Sequence, residues 1–127
     1  MPRTKLKTAI LIVLFSITVI GVDSVLAGNL FGPAQYLRTR GKPNFYTAQF
    51  RGANGEGLLR ILNGSPDGTH RVTSAHVYVN GKLILKPNAF KKRNHVIEKS
   101  ILLTSKNKLE VELRGVPGKR AAENFQG

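Results

Sequence analysis

The side chains able to do chemistry are few, and their spacing argues for recognition rather than bond-making. Between Gly28 and Gly127 the chain holds His70, His76 and His95, the single aspartate Asp67 and five glutamates, with no cysteine anywhere. Without cysteine, no disulfide framework, thiolate zinc site or cysteine nucleophile can be built. Five residues separate His70 from His76, so a strand would place both on one face only if neither lay at a bulge. No third ligand accompanies them, and rim histidines are expected rather than a metal site. Asn63-Gly-Ser-Pro-Asp-Gly68 gathers Asn63, Asp67 and carbonyl oxygens in one turn, but one carboxylate is too few for good calcium affinity. The glycine-rich Gly52–Gly57 opens onto a strand pattern and so lacks the helix N-terminus of a phosphate cradle. No Gly-x-Ser-x-Gly elbow, phosphate loop or dinucleotide fingerprint occurs. The expectation is a protein that is not an enzyme and needs no cofactor or metal; a secreted hydrolase of unfamiliar type ranks last.

Positive charge is the stronger signal. Lys86, Lys91, Lys92, Arg93 and His95 bracket one segment, the densest basic stretch after the N-terminus. If they converge they would attract sulfated, phosphorylated or uronic polysaccharide, lipid headgroups or nucleic acid; solvated loop charge is the bland alternative. Phe31, Tyr36, Phe45, Tyr46, Tyr78 and Phe90 could stack on sugar rings where exposed, although packing in core or rim is the commoner use. The whole chain has 20 Lys+Arg against 7 Asp+Glu, a formal +13. That excess favours anionic partners and equally keeps an exported protein soluble.

The elements that must position these groups begin with a leader. Arg3, Lys5 and Lys7 precede the apolar run Ala9–Val22, which is shorter than the roughly 18 to 20 residues of a membrane-spanning helix. Small residues follow in Asp23-Ser-Val-Leu-Ala-Gly28, so a helical signal peptide over 1–27 with cleavage between Ala27 and Gly28 is expected, against the alternative of an uncleaved anchor. Cleavage would remove Arg3, Lys5, Lys7 and Asp23, leaving a hundred residues at +11 with no stable membrane span. One domain of this length is expected over 28–118, then a frayed tail over 119–127.

Across that domain, two-residue alternation recurs with turn residues between, and no stretch shows helical spacing. Tyr46, Ala48 and Phe50 share one face of Asn44–Phe50. Leu58–Leu62, Arg71–Val79, Lys82–Leu85, His95–Leu103 and Leu109–Leu113 read as further strands. Asn80-Gly81 marks a hairpin, because both central residues of its favoured turn need positive φ. Pro87–Asn94 reads as a connection between two sheets. In Leu109–Leu113 the leucines and Val111 point inward, with Glu110, Glu112 and Arg114 toward water. The fold class expected is an antiparallel β-sandwich, jelly-roll or immunoglobulin-like, of about seven short strands.

Phe31-Gly-Pro33, Tyr36, Arg38, Gly41-Lys-Pro-Asn44, Leu62-Asn-Gly64, Arg71-Val-Thr-Ser-Ala75, Val79-Asn-Gly81, Ile97-Glu98 and Asn107-Lys-Leu-Glu-Val-Glu-Leu-Arg-Gly-Val-Pro-Gly118 together resemble a small secreted bacterial β-sandwich module, found alone or beside adhesin-like repeats. The resemblance implies an extracellular, adhesive or carbohydrate-binding role with no assigned catalysis. In that pattern one more strand follows the Pro-Gly, whereas Lys119–Phe125 is a poor strand, which leaves one sheet edge in doubt. The functional expectation is therefore an exported binding or adhesion module, secreted, periplasmic or at the cell surface. Its partner would be an anionic polysaccharide or envelope component met through Lys86, Lys91, Lys92, Arg93 and His95, with no nucleic-acid role. The alternative is a structural protein that self-associates through the open edge; the oligomeric state stays open.

Overall fold

The computed structural model describes residues 13–21, 28–90 and 95–115. Eight strands and one 3-10 turn make up nearly all of it: β1 (Val13–Gly21), β2 (Gly28–Arg38), β3 (Asn44–Arg51), β4 (Gly55–Asn63), β5 (Ser74–Val79), β6 (Lys82–Leu85), β7 (Val96–Leu103) and β8 (Lys106–Arg114), with the turn at Pro87–Phe90 between β6 and β7. They form two four-stranded antiparallel sheets, in the orders β2-β1-β4-β7 and β3-β8-β5-β6. The chain is an all-β sandwich. No helix among the described residues is long and apolar enough to cross a membrane.

From β2 onward the chain crosses between sheets at nearly every connection, and only β5–β6 is a hairpin within one sheet. Asn80 (φ 54°) and Gly81 (φ 82°) turn that hairpin as its sequence requires. Pro87–Phe90 lies in the expected inter-sheet connection. The inward faces are those that alternation assigns: Phe50 on β3, Leu59 and Ile61 on β4, Val77 and Val79 on β5, and Leu109, Val111 and Leu113 on β8 are all buried. Phe90 closes one end of the core with its ring centroid 5.9 Å from that of Phe15.

Two expectations are corrected, and one strand lies where the sequence announced none. The strand over Arg71–Val79 starts only at Ser74, because Val72 turns inward and its backbone is held by the Asn63 side chain. β2, the longest strand, has no clean alternation: Gly32, Pro33 and two register shifts against β1 interrupt it. The apolar run of the expected helical leader is, over Val13–Gly21, a strand inside the sandwich, and the count becomes eight. Its β-branched residues suit a strand, and Ser16 and Thr18 fall at outward positions while Phe15, Ile17 and Val19 are completely buried. Burying those three side chains is worth about 6 kcal/mol gross, comparable with the net stability of a whole small domain. Residues 1–12, Ala27 and the tail 119–127 lie outside the described residues, and Gly28 opens β2.

Candidate anion-binding surfaces

The basic segment singled out in the sequence is anchored at both ends. Lys86 is exposed just after β6, and the 3-10 turn that follows buries Phe90. At the far end the carbonyl of His95 accepts the Asn63 N–H at 2.7 Å, and His95 Nδ1 lies 3.4 Å from the Asn63 carbonyl oxygen. Lys91, Lys92 and Arg93 lie outside the described residues, so Lys86 and half-buried His95 are what the fold places of this group.

At the opposite end of the β5–β6 hairpin lies a groove of about 500 Å³ lined by Gln49, Phe50, Arg51, Asn80, Lys106, Asn107 and Lys108. Phe50 forms its buried floor. Asn107, also buried, ties the rim together: its Oδ1 accepts from Asn80 Nδ2 at 2.9 Å and from the Thr104 N–H at 2.8 Å, and its Nδ2 donates to the Thr104 carbonyl at 2.8 Å. Asn80 Oδ1 in turn accepts the Lys108 N–H at 2.8 Å. These amides are spent on structure; Arg51 and Lys106 are not. Arg51 stands directly opposite Lys106 across the β3–β8 pair, and neither has an ion-pair partner among the described residues. Lys108 reaches Glu110 at 3.6 Å. Sequence reading missed this cluster because Lys106 and Lys108 fell between the expected strands His95–Leu103 and Leu109–Leu113. The alternation of Leu109–Leu113 runs back through them, but what faces them on β3 is a matter of tertiary pairing.

The outer face of the second sheet leads from this groove. Glu110 sits between Thr47 and Tyr78, and Glu112 between Phe45 and His76. Phe45 is 73% exposed, which makes it the one clearly solvent-facing ring of those singled out. The others pack: Tyr36 stacks on Tyr46 at 4.4 Å, Phe31 lies 5.4 Å from Phe50, and Phe90 is in the core. Burial, and secondarily the neighbouring Tyr46, raises the Tyr36 hydroxyl above the ordinary tyrosine range. His76 Nδ1 approaches Glu112 Oε1 at 3.1 Å without hydrogen-bonding geometry, so the contact is a charge pair when the ring is protonated.

The Asn63–Gly68 turn is closed by its own chain. Asp67 Oδ1 accepts both the Thr69 hydroxyl at 2.6 Å and the Thr69 N–H at 2.9 Å, and these bonds, the hydroxyl first, hold its carboxyl below the usual range. Asn63 faces the interior. His70 sits in the following loop with φ 59°, off β5, so it shares no strand face with His76. Among the described residues no three His, Cys, Asp or Glu side chains gather where a metal ion would fit. No protein-family model matches the chain and no curated protein matches it, so the chemistry of the groove at Arg51 and Lys106 rests on its own geometry.

Proposed function

We propose that the chain acts outside the cytoplasm as a non-catalytic binding module for anionic polysaccharide or another polyanionic component of the cell envelope. The observation that carries this reading is the Arg51–Lys106 pair. Like charges directly opposite on neighbouring strands cost stability, and an anion seated between them removes the cost. Lys108 adds a third cation on the same rim, and exposed Phe45 offers an apolar face further along the sheet. The basic stretch of sequence from Lys86 to His95, with Lys91, Lys92 and Arg93, supplies further positive charge for the same class of partner. A basic N-terminus followed by an apolar run and small residues supports export.

The test is retention of the full chain on immobilised sulfated and uronic polysaccharides, with neutral dextran as control, at low and raised salt. Charge-driven binding must weaken as salt rises, because screening shortens from about 10 Å at 0.1 M to about 3 Å at 1 M. Arg51→Ala with Lys106→Ala is expected to weaken retention at least about tenfold, the loss of roughly 1.4 kcal/mol. Replacing Lys91, Lys92 and Arg93 by alanine measures the share of that stretch. Salt-insensitive retention, or none, rejects the proposal.

A further inference from the structure

The residues that read as an export leader and the residues that form β1 are the same, and the two uses exclude each other once the chain is cut after Ala27. β1 is an internal strand. It pairs with β4 from Phe15↔Asn63 to Gly21↔Gly57 and with β2 from Val13↔Arg38 to Gly21↔Gly28. Removing it leaves β2 and β4 about 10 Å apart, two strand spacings, each with a row of unpaired N–H and C=O groups facing the gap. The β2 wall is shaped to a strand lying there. A side chain at Gly32 on β2 would overlap the Ile17 carbonyl oxygen; one at Gly57 on β4 would meet the Leu103 side chain first, at 2.5 Å, and the Ile20 carbonyl oxygen at 3.3 Å.

The topology says how this position is ordinarily filled. In a jelly roll whose strands B to I follow chain order, the sheets read B-I-D-G and C-H-E-F. Here β2 to β8 take the places of B to H one for one, and β1 stands where I would be. Gly115, just after β8, is tied to that end of the sheet: its carbonyl accepts a hydrogen bond at 3.0 Å from Arg38 Nε, and Arg38 is the β2 residue opposite Val13. Yet residues 116–127, Val-Pro-Gly-Lys-Arg-Ala-Ala-Glu-Asn-Phe-Gln-Gly, offer no three large apolar side chains at alternate positions to replace Phe15, Ile17 and Val19. Residues 116–127 of a second copy have the same shortfall.

We propose that the position between β2 and β4 is a strand-complementation site, filled in cis by Val13–Gly21. In the protein cut after Ala27, it takes in trans an extended segment of another polypeptide with large apolar residues at three alternate positions. The second half rests on the export reading; the first does not. Main-chain bonds on both sides would supply affinity, and the three inward pockets specificity.

To test it, a specific protease site is placed within residues 22–27 of the full chain and cut after folding. The N-terminal fragment is expected to stay with the body through gel filtration and, in mild denaturant, to exchange for a labelled synthetic peptide of the Val13–Gly21 sequence with lysine flanks. The same peptide carrying Ile17→Asp is expected to bind at least about a hundredfold more weakly, because a carboxylate would be buried without a partner. A body that releases the fragment and stays folded and monomeric without taking up peptide overturns the proposal, as does equal binding of both peptides. A body that pairs with itself and excludes the peptide overturns the assignment to a different polypeptide. The N-terminal mass of the exported protein separates the two readings: a start at Gly28 supports docking in trans, whereas retained residues 13–21 overturn that half alone.

Discussion

Asn63 and Val72 exchange two hydrogen bonds, from Asn63 Nδ2 to the Val72 carbonyl at 3.0 Å and from the Val72 N–H to Asn63 Oδ1 at 2.8 Å. A side-chain amide thus plays the part of a strand neighbour, and the loop between β4 and β5 is fastened to the core by a residue with no exposed surface. Asn63→Ala would leave a buried donor and a buried acceptor without partners, at about 1 to 3 kcal/mol each. A fall of about 3 kcal/mol or more in denaturant unfolding is expected; a loss below 1 kcal/mol would mean water replaces the amide.

Arg38 makes the matching lock at the end of β2. Its guanidinium donates to the carbonyls of Gly41, Lys42 and Gly115 and to Asn44 Oδ1, at 2.8 to 3.1 Å, and is 5% exposed. A planar fork with five donors can serve four acceptors, whereas an ammonium offers three donors on a different geometry. Arg38→Lys keeps the charge and should still cost about 2 kcal/mol. Equal melting curves for variant and parent would refute the clamp.

Alkaline stability should report on Tyr36. Its folded-state pKa is raised above the ordinary tyrosine value of about 10, chiefly by burial, so the fold favours the neutral phenol. That contribution is complete below the unfolded value and is lost as pH rises through the folded one. Unfolding should therefore become easier from about pH 10 upward, and Tyr36→Phe should flatten the fall. Chemical denaturation across pH 9 to 11.5, with tyrosinate absorbance followed in parallel, reads both.

Arg51 gives a prediction of opposite signs. Arg51→Glu places a carboxylate across from Lys106 and should stabilise the fold by up to about 1 kcal/mol, since opposite charges on facing strands attract. Polyanion retention should drop in the same variant. If stability and retention fall together, the loss of binding is damage rather than a lost site.

Lys99 guards an edge. It faces Leu59 across the β4–β7 pair, at a position where alternation points inward, yet it is exposed on the outermost strand. Inward-pointing charge on an edge strand discourages pairing with another chain. Lys99→Ile should raise the weight-average mass seen by sedimentation relative to the parent at equal concentration; unchanged mass would assign the protection to another feature.

Alternation by itself determined the sheet faces of β3 and β8, the existence of strands at β4 and β5, the Asn80-Gly81 hairpin and the crossing at Pro87, because a two-residue period and positive-φ turns are local properties of the chain. Tertiary structure alone decided the rest. The pairing of Arg51 with Lys106 joins residues distant in sequence, so no local pattern announces it. For Val13–Gly21 the ambiguity is physical: an apolar, β-branched run satisfies a hydrophobic leader and a buried central strand alike, and only the partners on either side select between them.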